Sequence, residues 1–308
     1  MFRVPRPALT LLAGLILVAA SACSSAAATP GAGGIQGVAG ASAAGGAASA
    51  ALNPNDPESI ITAAISGESG VKSFHINFAV NGTLKAAFLK QAAGTEGAMI
   101  TSDVTLDGTA IDGDVDVANA AAHLTLNVPA LAMFGGQAIT GDLILKDNAV
   151  YYKASLLGPN YTKMDLSSLS SLASSLPVAV PTAGAAASSA IVDEVNQIRA
   201  AMQQAGVKAT LVGVEQIGGK DANHINISVP IDYLNAQIAA EASAVPGMKI
   251  DSASVDFWVY TDTNRLAKAE IKGASSAIGT IDIVLTITNY DQPVTVSAPA
   301  AGDVNPSK

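Results

Sequence analysis

Cysteine is nearly absent. The one thiol, Cys23, has no partner in the chain, so no internal disulfide is available and core packing must supply stability. Aromatic residues are scarce at 4%, and charged residues make up only 13%. Positive charge is short as well. A net charge of −9 argues against nucleic acid, whose phosphates need clustered Lys and Arg, and equally against electrostatic docking on anionic lipid. No Gly-x-Ser-x-Gly elbow, phosphate loop or His-Glu-x-x-His helix occurs, which removes the usual local signatures of hydrolases, nucleotide enzymes and metalloproteases. Beyond the N-terminal segment no apolar run is long and uncharged enough to cross a bilayer.

What is present begins at the N-terminus. Arg3 and Arg6 precede an apolar stretch from Ala8 to Ala20, followed by the small residues Ser21 and Ala22 and then Cys23. A basic head, a short apolar stretch and small residues at the cut define a secretory signal over residues 1–22. The stretch is shorter than the about twenty residues that a spanning helix needs. The run Ala20-Ser21-Ala22-Cys23 resembles the lipobox of bacterial lipoproteins, in which the cysteine thiol is acylated and becomes the new N-terminus. Residues 24–52 are almost wholly Ala, Gly and Ser, a composition that buries no core and reads as a tether with a reach of about 30 Å. The expected location is extracytoplasmic, lipid-anchored at the bacterial cell membrane.

Folded structure is expected over residues 53–299, with 300–308 a disordered tail. Asp56, Pro57 and Glu58 mark the start of a helix that Gly67 ends. Phe74, Ile76, Phe78 and Val80 then alternate with polar or small residues, which is strand periodicity. The same pattern recurs at Leu124, Leu126 and Val128, and at Ile281, Ile283, Leu285 and Ile287. Hairpins are expected across Asp147-Asn148, Gly218-Gly219 and Asp262-Thr263-Asn264. Helical spacing marks Leu166, Leu169, Leu172 and Leu176, then residues 188–205 and 231–244. About ten strands and four helices make an α+β arrangement.

Candidate chemistry is thin. His75, His123 and His224 are scattered along predicted strands, among the polar alternates, and read as solvated strand residues. Asp107, Asp112, Asp114 and Asp116 invite a calcium reading. However, a calcium loop counted from Asp112 would place Val117 and His123 where Gly and Glu are required, so these carboxylates read as a wet strand face. No metal, cofactor or catalytic residue is expected. The apolar alternates remain, and periodicity alone does not separate a filled core from a lined cavity.

Several segments resemble the LppX/LprA/LprF/LprG-type lipoprotein family, related in fold to the LolA/LolB lipoprotein carriers. They are the N-terminal cysteine and tether, Val71–Phe78 after the first helix, Gly141–Lys153, Val255–Leu266, and Asn289–Pro299. The resemblance implies a strongly bent antiparallel sheet, a half-barrel, with helices covering the concave face. It also implies a non-enzymatic protein that holds acyl chains of a lipid or glycolipid in an apolar cavity, for transport or presentation in the envelope. The lining positions expected on that basis are Phe74, Ile76, Phe78, Leu124, Leu126, Leu143, Leu145, Phe257, Val259, Ile283 and Leu285. The Leu166–Leu176 segment is the expected lid. The chain is expected to act as a monomer, with a lipid and the membrane as partners and no nucleic acid. A filled core would instead make the domain a surface-anchored interaction or sensor module.

Overall fold

The computed structural model describes residues 53–68, 70–93, 100–129, 137–166, 206–240 and 249–305. The signal segment, Cys23, the tether, Leu169, Leu172, Leu176 and the helix expected over 188–205 lie outside the described residues. Helix α1 (Pro57–Gly67) starts where the sequence places it. The Asp56 carboxylate accepts the Glu58 N–H at 3.2 Å, which satisfies one of the unpaired amides of the first turn. The last residue of α1, Gly67, has to be glycine for a steric reason: a Cβ there would lie 2.6 Å from the Asn264 carbonyl oxygen.

Twelve strands follow: β1 (Ser73–Leu84), β2 (Val104–Thr105), β3 (Thr109–Asp116), β4 (Ala121–Val128), β5 (Ile139–Lys146), β6 (Ala149–Ala154), β7 (Thr162–Asp165), β8 (Lys208–Ile217), β9 (Lys220–Ser228), β10 (Ser252–Tyr260), β11 (Leu266–Ser275) and β12 (Gly279–Thr288). Two short helices, α2 (Ala86–Ala93) and α3 (Ile231–Ala240), sit in the connections β1–β2 and β9–β10. The strands form one antiparallel sheet in the order β7-β6-β5-β4-β3-β1-β12-β11-β10-β9-β8, with β2 also paired to β1. The consecutive strands β7 and β8 therefore stand at opposite edges. The count of about ten strands was low because β2 and β7 are too short to show a period of two.

The hairpins form as expected. Asp147 and Asn148 both have positive φ (51° and 58°), as do Gly218 and Gly219 (59° and 80°), the geometry that matches the twist of a two-residue hairpin. Elsewhere the strands approach too closely for a side chain. A Cβ at Gly82 would lie 2.3 Å from the Thr280 carbonyl oxygen.

Packing occurs on both faces. On one, Ile60 and Ala64 of α1, one turn apart, bury against Ile225 of β9 and Val259 of β10. Burial of a side chain such as Ile60 contributes about 1.5–3 kcal/mol. Just past α1, Glu68 accepts from the Leu266 N–H and the Tyr290 hydroxyl, at 3.0 and 3.1 Å, and burial pushes its carboxyl above the ordinary range. On the other face the chain after β12 runs back as an extended strap. Val296 packs with Ala121, Ile144 and Tyr161. Residues 300–305, expected to be disordered, are part of this strap. Ala301–Asp303 form a 3₁₀ turn, and the Tyr161 and Asn305 amides donate to the Asp303 and Tyr161 carbonyls. These backbone bonds, with Val304 packed on the second cluster, fix a segment whose composition alone gave no strand signal.

Candidate apolar binding face

Residues directly opposite one another in an antiparallel ladder point to the same side of the sheet. The register can therefore be followed across all strands. Phe78 of β1 faces Ile111 of β3 on one side and Leu285 of β12 on the other. Ile111 faces Leu126, and Gly113 faces Leu124, which in turn faces Leu143 of β5. In the other direction Leu285 faces Ala269, which faces Phe257, which faces Ile225. Phe74 and Ile76 share the side of Phe78; Leu145 shares that of Leu143; Ile283 shares that of Leu285. Val259 packs with Ile225 beneath α1. The ladder thus brings the eleven expected lining positions onto one face, the face that α1 covers over β8–β10.

Burial along that face is uneven. Val259, Ile283 and Phe74 are buried, whereas Ile76, Phe78, Leu124, Leu126, Leu145, Phe257 and Leu285 are half-buried and Leu143 is 39% exposed. Large apolar side chains in the middle of a sheet, left partly open, are available for contact with another apolar body. The lining set expected from sequence omits Val80, Ile111, Val115 and Ile271, which the register adds to the same face. The apolar-Gly-apolar spacing of Ile111, Gly113 and Val115 was the available signal. Leu166 is 39% exposed at the end of β7, and it is the one expected lid residue among those described.

The opposite face carries the polar alternates beside the strap and Trp258 clusters, and the three histidines lie on it. Each is engaged by carboxylates: His123 stays exposed and His75 partly so, as the solvated reading expects, whereas His224 is largely buried, contrary to it. His75 lies 2.9 Å from Asp114 and 3.3 Å from Asp112; His123 lies 2.9 Å from Asp142. His224 sits between Glu215 and Asp256 at 2.8 and 2.9 Å and stacks on Trp258, whose other partners are Lys268 and the Glu215 carboxylate. The Trp258 indole N–H and His224 hold the Glu215 carboxyl below its usual range. The aspartates of the discarded calcium reading have structural partners: Asp107 accepts the Gly82 amide, Asp112 accepts from Asn77, and Asp116 accepts from Asn119. Among the described residues no group of three or more His, Cys, Asp or Glu side chains is arranged to hold a metal. An open depression of about 440 Å³ lies at the lower ends of β10–β12, lined in part by Ser254, Lys272, Thr280 and Asp282. Among the described residues no helix is long and apolar enough to cross a membrane.

The chain is similar in structure to the lipoprotein LppX of Mycobacterium tuberculosis, with a TM-score of 0.41 and 17% identity over 77% of this chain and 96% of that one. It is similar to LprF of Mycobacterium bovis at a TM-score of 0.40 and 14% identity, covering 80% and 99% of the two chains. A LolA superfamily protein of Nitrosomonas europaea matches at a TM-score of 0.22 and 11% identity, covering 78% and 94%. No family model matches the chain, and no curated protein sequence matches it.

Proposed function

We propose that the partly open apolar face binds the acyl chains of a lipid or glycolipid, and that the protein is a membrane-anchored, non-enzymatic carrier or presenter in the cell envelope. The observation that supports this reading is the ladder itself: side chains from β1 and β3–β6 form a continuous apolar surface, most of whose large members are only half-buried or exposed. Five strands at a spacing of about 4.8 Å make that surface about 20 Å wide. The chains of one bilayer leaflet span about 15 Å, so an acyl chain lying across these strands is matched in length.

The mechanism is desolvation. Each buried methylene contributes about 0.8 kcal/mol, so a sixteen-carbon chain gains on the order of 10 kcal/mol before ordering costs. In this reading the sheet bends into a half-barrel around the ligand, helices complete the cover, and the Leu166–Leu176 segment is the lid. Residues 1–22 are removed as the signal, Cys23 is acylated, and residues 24–52 hold the domain off the lipid headgroups. Each histidine hydrogen-bonds to carboxylates among the described residues, an arrangement that fastens strands together rather than activating a nucleophile.

The test is native mass spectrometry of the unacylated chain, with Cys23→Ser, purified from a bacterial host without detergent. Adducts of lipid mass that vanish on denaturation are expected. A chain that stays free of ligand after incubation with phospholipids and glycolipids would contradict the reading and favour a filled-core interaction module.

A further inference from the structure

The connection between β6 and β7 carries two adjacent leucines outward. Leu156 is 56% exposed and Leu157 is 65% exposed, more than the other exposed leucines among the described residues. They are held on a fixed turn rather than a loose loop. The Leu157 N–H donates to the Ala154 carbonyl and the Ser155 N–H to the Thr140 carbonyl, both at 2.8 Å; the Thr140 N–H returns a bond to the Ser155 hydroxyl at 3.1 Å. Tyr161, at the far side of the turn, is bonded to the strap through Asp303 and Asn305. Nothing in this geometry turns the leucines inward. Exposed apolar side chains on a rigid turn lose little conformational freedom when a partner covers them.

We infer that this turn is a docking tip that inserts Leu156 and Leu157 into the surface of a zwitterionic phospholipid bilayer. Three observations select a lipid surface as the occupant. The turn is continuous with the apolar face: Ala154, immediately before it, lies opposite Gly141, which lies opposite Leu126. The run from Ala154 to Thr162 carries no charge and is bounded on each side by a lysine, Lys153 and Lys163. Each lysine lies 4.0 Å from a carboxylate, Lys153 from Asp142 and Lys163 from Asp165, so the charges stay at the base of the tip and only the uncharged turn is offered to the lipid. Finally, the net charge of −9 leaves insertion of apolar side chains, not charge attraction, as the means of contact. Two leucines give weak partitioning on their own. With Cys23 acylated and residues 24–52 a tether, as proposed above, a weak contact would act at high effective lipid concentration. The purpose of the tip, placing the open edge of the face against a bilayer so that an acyl chain crosses without meeting bulk water, rests on the acyl-binding reading. Its geometry does not.

The test uses the chain from residue 23 onward with Cys23→Ser, so that Leu157→Cys supplies a unique thiol for a polarity-sensitive fluorophore. Titration with phosphatidylcholine vesicles should shift the emission to the blue and make it quenchable by lipids spin-labelled in the acyl region. Adding Leu156→Asp should weaken that partitioning about tenfold. The same label at Asp262→Cys, at the opposite end of the strands, should stay aqueous. A label at 157 that remains aqueous at every lipid concentration, or a label at 262 that responds equally, overturns the proposal; the first result would leave a protein surface as the tip's partner. Uptake of a fluorescent fatty acid by the Leu156→Asp/Leu157→Asp chain is measured in parallel and should be unchanged. If the parent chain takes up no fatty acid while the 157 label still inserts, the acyl-binding reading fails and the docking tip stands.

Discussion

Ile225 on β9 is fully buried beneath Ile60 of α1, whereas Leu143 on β5, on the same face of the same sheet, is 39% exposed. Both stand on the apolar side of the sheet, and the ladder joins them without a break. What differs is the element lying over them. Among the described residues α1 seals the β8–β10 half, while the β3–β6 half carries Leu124, Leu126 and Leu145 half-buried. Alternation therefore identifies the apolar side of a sheet, and the covering element decides whether that side is core or contact surface. The polar face repeats the division. Behind the sealed half, His224, Trp258 and Lys268 stack into a compact cluster; behind the open half, the C-terminal strap supplies the packing through Val296.

Substitution in the two halves should break the comparison most sharply. Ile225→Ala leaves a cavity under α1 and should cost about 3–4 kcal/mol, within the range for deep large-to-small changes. Leu143→Ala should stay within about 1 kcal/mol, since little is packed over it. Chemical denaturation of both variants checks this, and equal losses would mean that the halves are filled alike. Next in size is the effect of charge. Leu124→Asp should leave the far-UV circular dichroism native yet lower lipid occupancy at least about tenfold, because a carboxylate facing an acyl chain is desolvated without a partner. Ile225→Asp, in contrast, should fail to fold.

The fastenings of each half give smaller effects. Asp291 accepts the Lys72 N–H and bonds Arg265, whose guanidine also donates to the Gly67 carbonyl at the end of α1. The Lys72 amide first, and Arg265 second, hold the Asp291 carboxyl below the usual carboxylate range. A depressed folded value stabilises above the unfolded value of about 3.9 and is lost as pH falls through the folded one. Asp291→Asn should therefore be less stable than the parent at neutral pH and converge with it in strong acid, measured by thermal unfolding across pH. Behind the open half, Tyr161 donates to Asp142 at 2.7 Å. Burial, aided by that carboxylate, pushes its hydroxyl up to about 12. The stability it adds is complete below the unfolded value of about 10 and is lost as pH rises toward the folded one. Tyr161→Phe should cost about 1 kcal/mol at neutral pH and flatten the alkaline limb of the same profile.

Much of this arrangement is written in local sequence. The cap at Asp56, the stop at Gly67, the Asp147-Asn148 and Gly218-Gly219 turns and the strands flanking them follow from residue chemistry acting over a few positions. The recurring triplets His75-Ile76-Asn77 and His224-Ile225-Asn226 place histidine on the polar face and isoleucine on the apolar face both times. Other features depend on distant partners. β2 pairs only Thr83 and Leu84 and has no period to read. The strap's Val294 and Val296 find their partners on β4–β6 and at Tyr161, more than a hundred residues earlier in the chain. The His–carboxylate clusters join strands that only the ladder brings together, which is why isolated histidines read as solvated. The degree of burial of Leu143 or Leu124 is not a local property, so no periodicity encodes it.

The most direct test of the division is photocrosslinking of the unacylated chain with a fatty acid carrying a diazirine along its tail, followed by peptide mapping. Adducts concentrated on the apolar positions of β1 and β3–β6, among them Ile76, Leu124, Leu126 and Leu143, are the predicted result. Adducts spread over the polar face, or confined to strands beneath α1, would contradict the account.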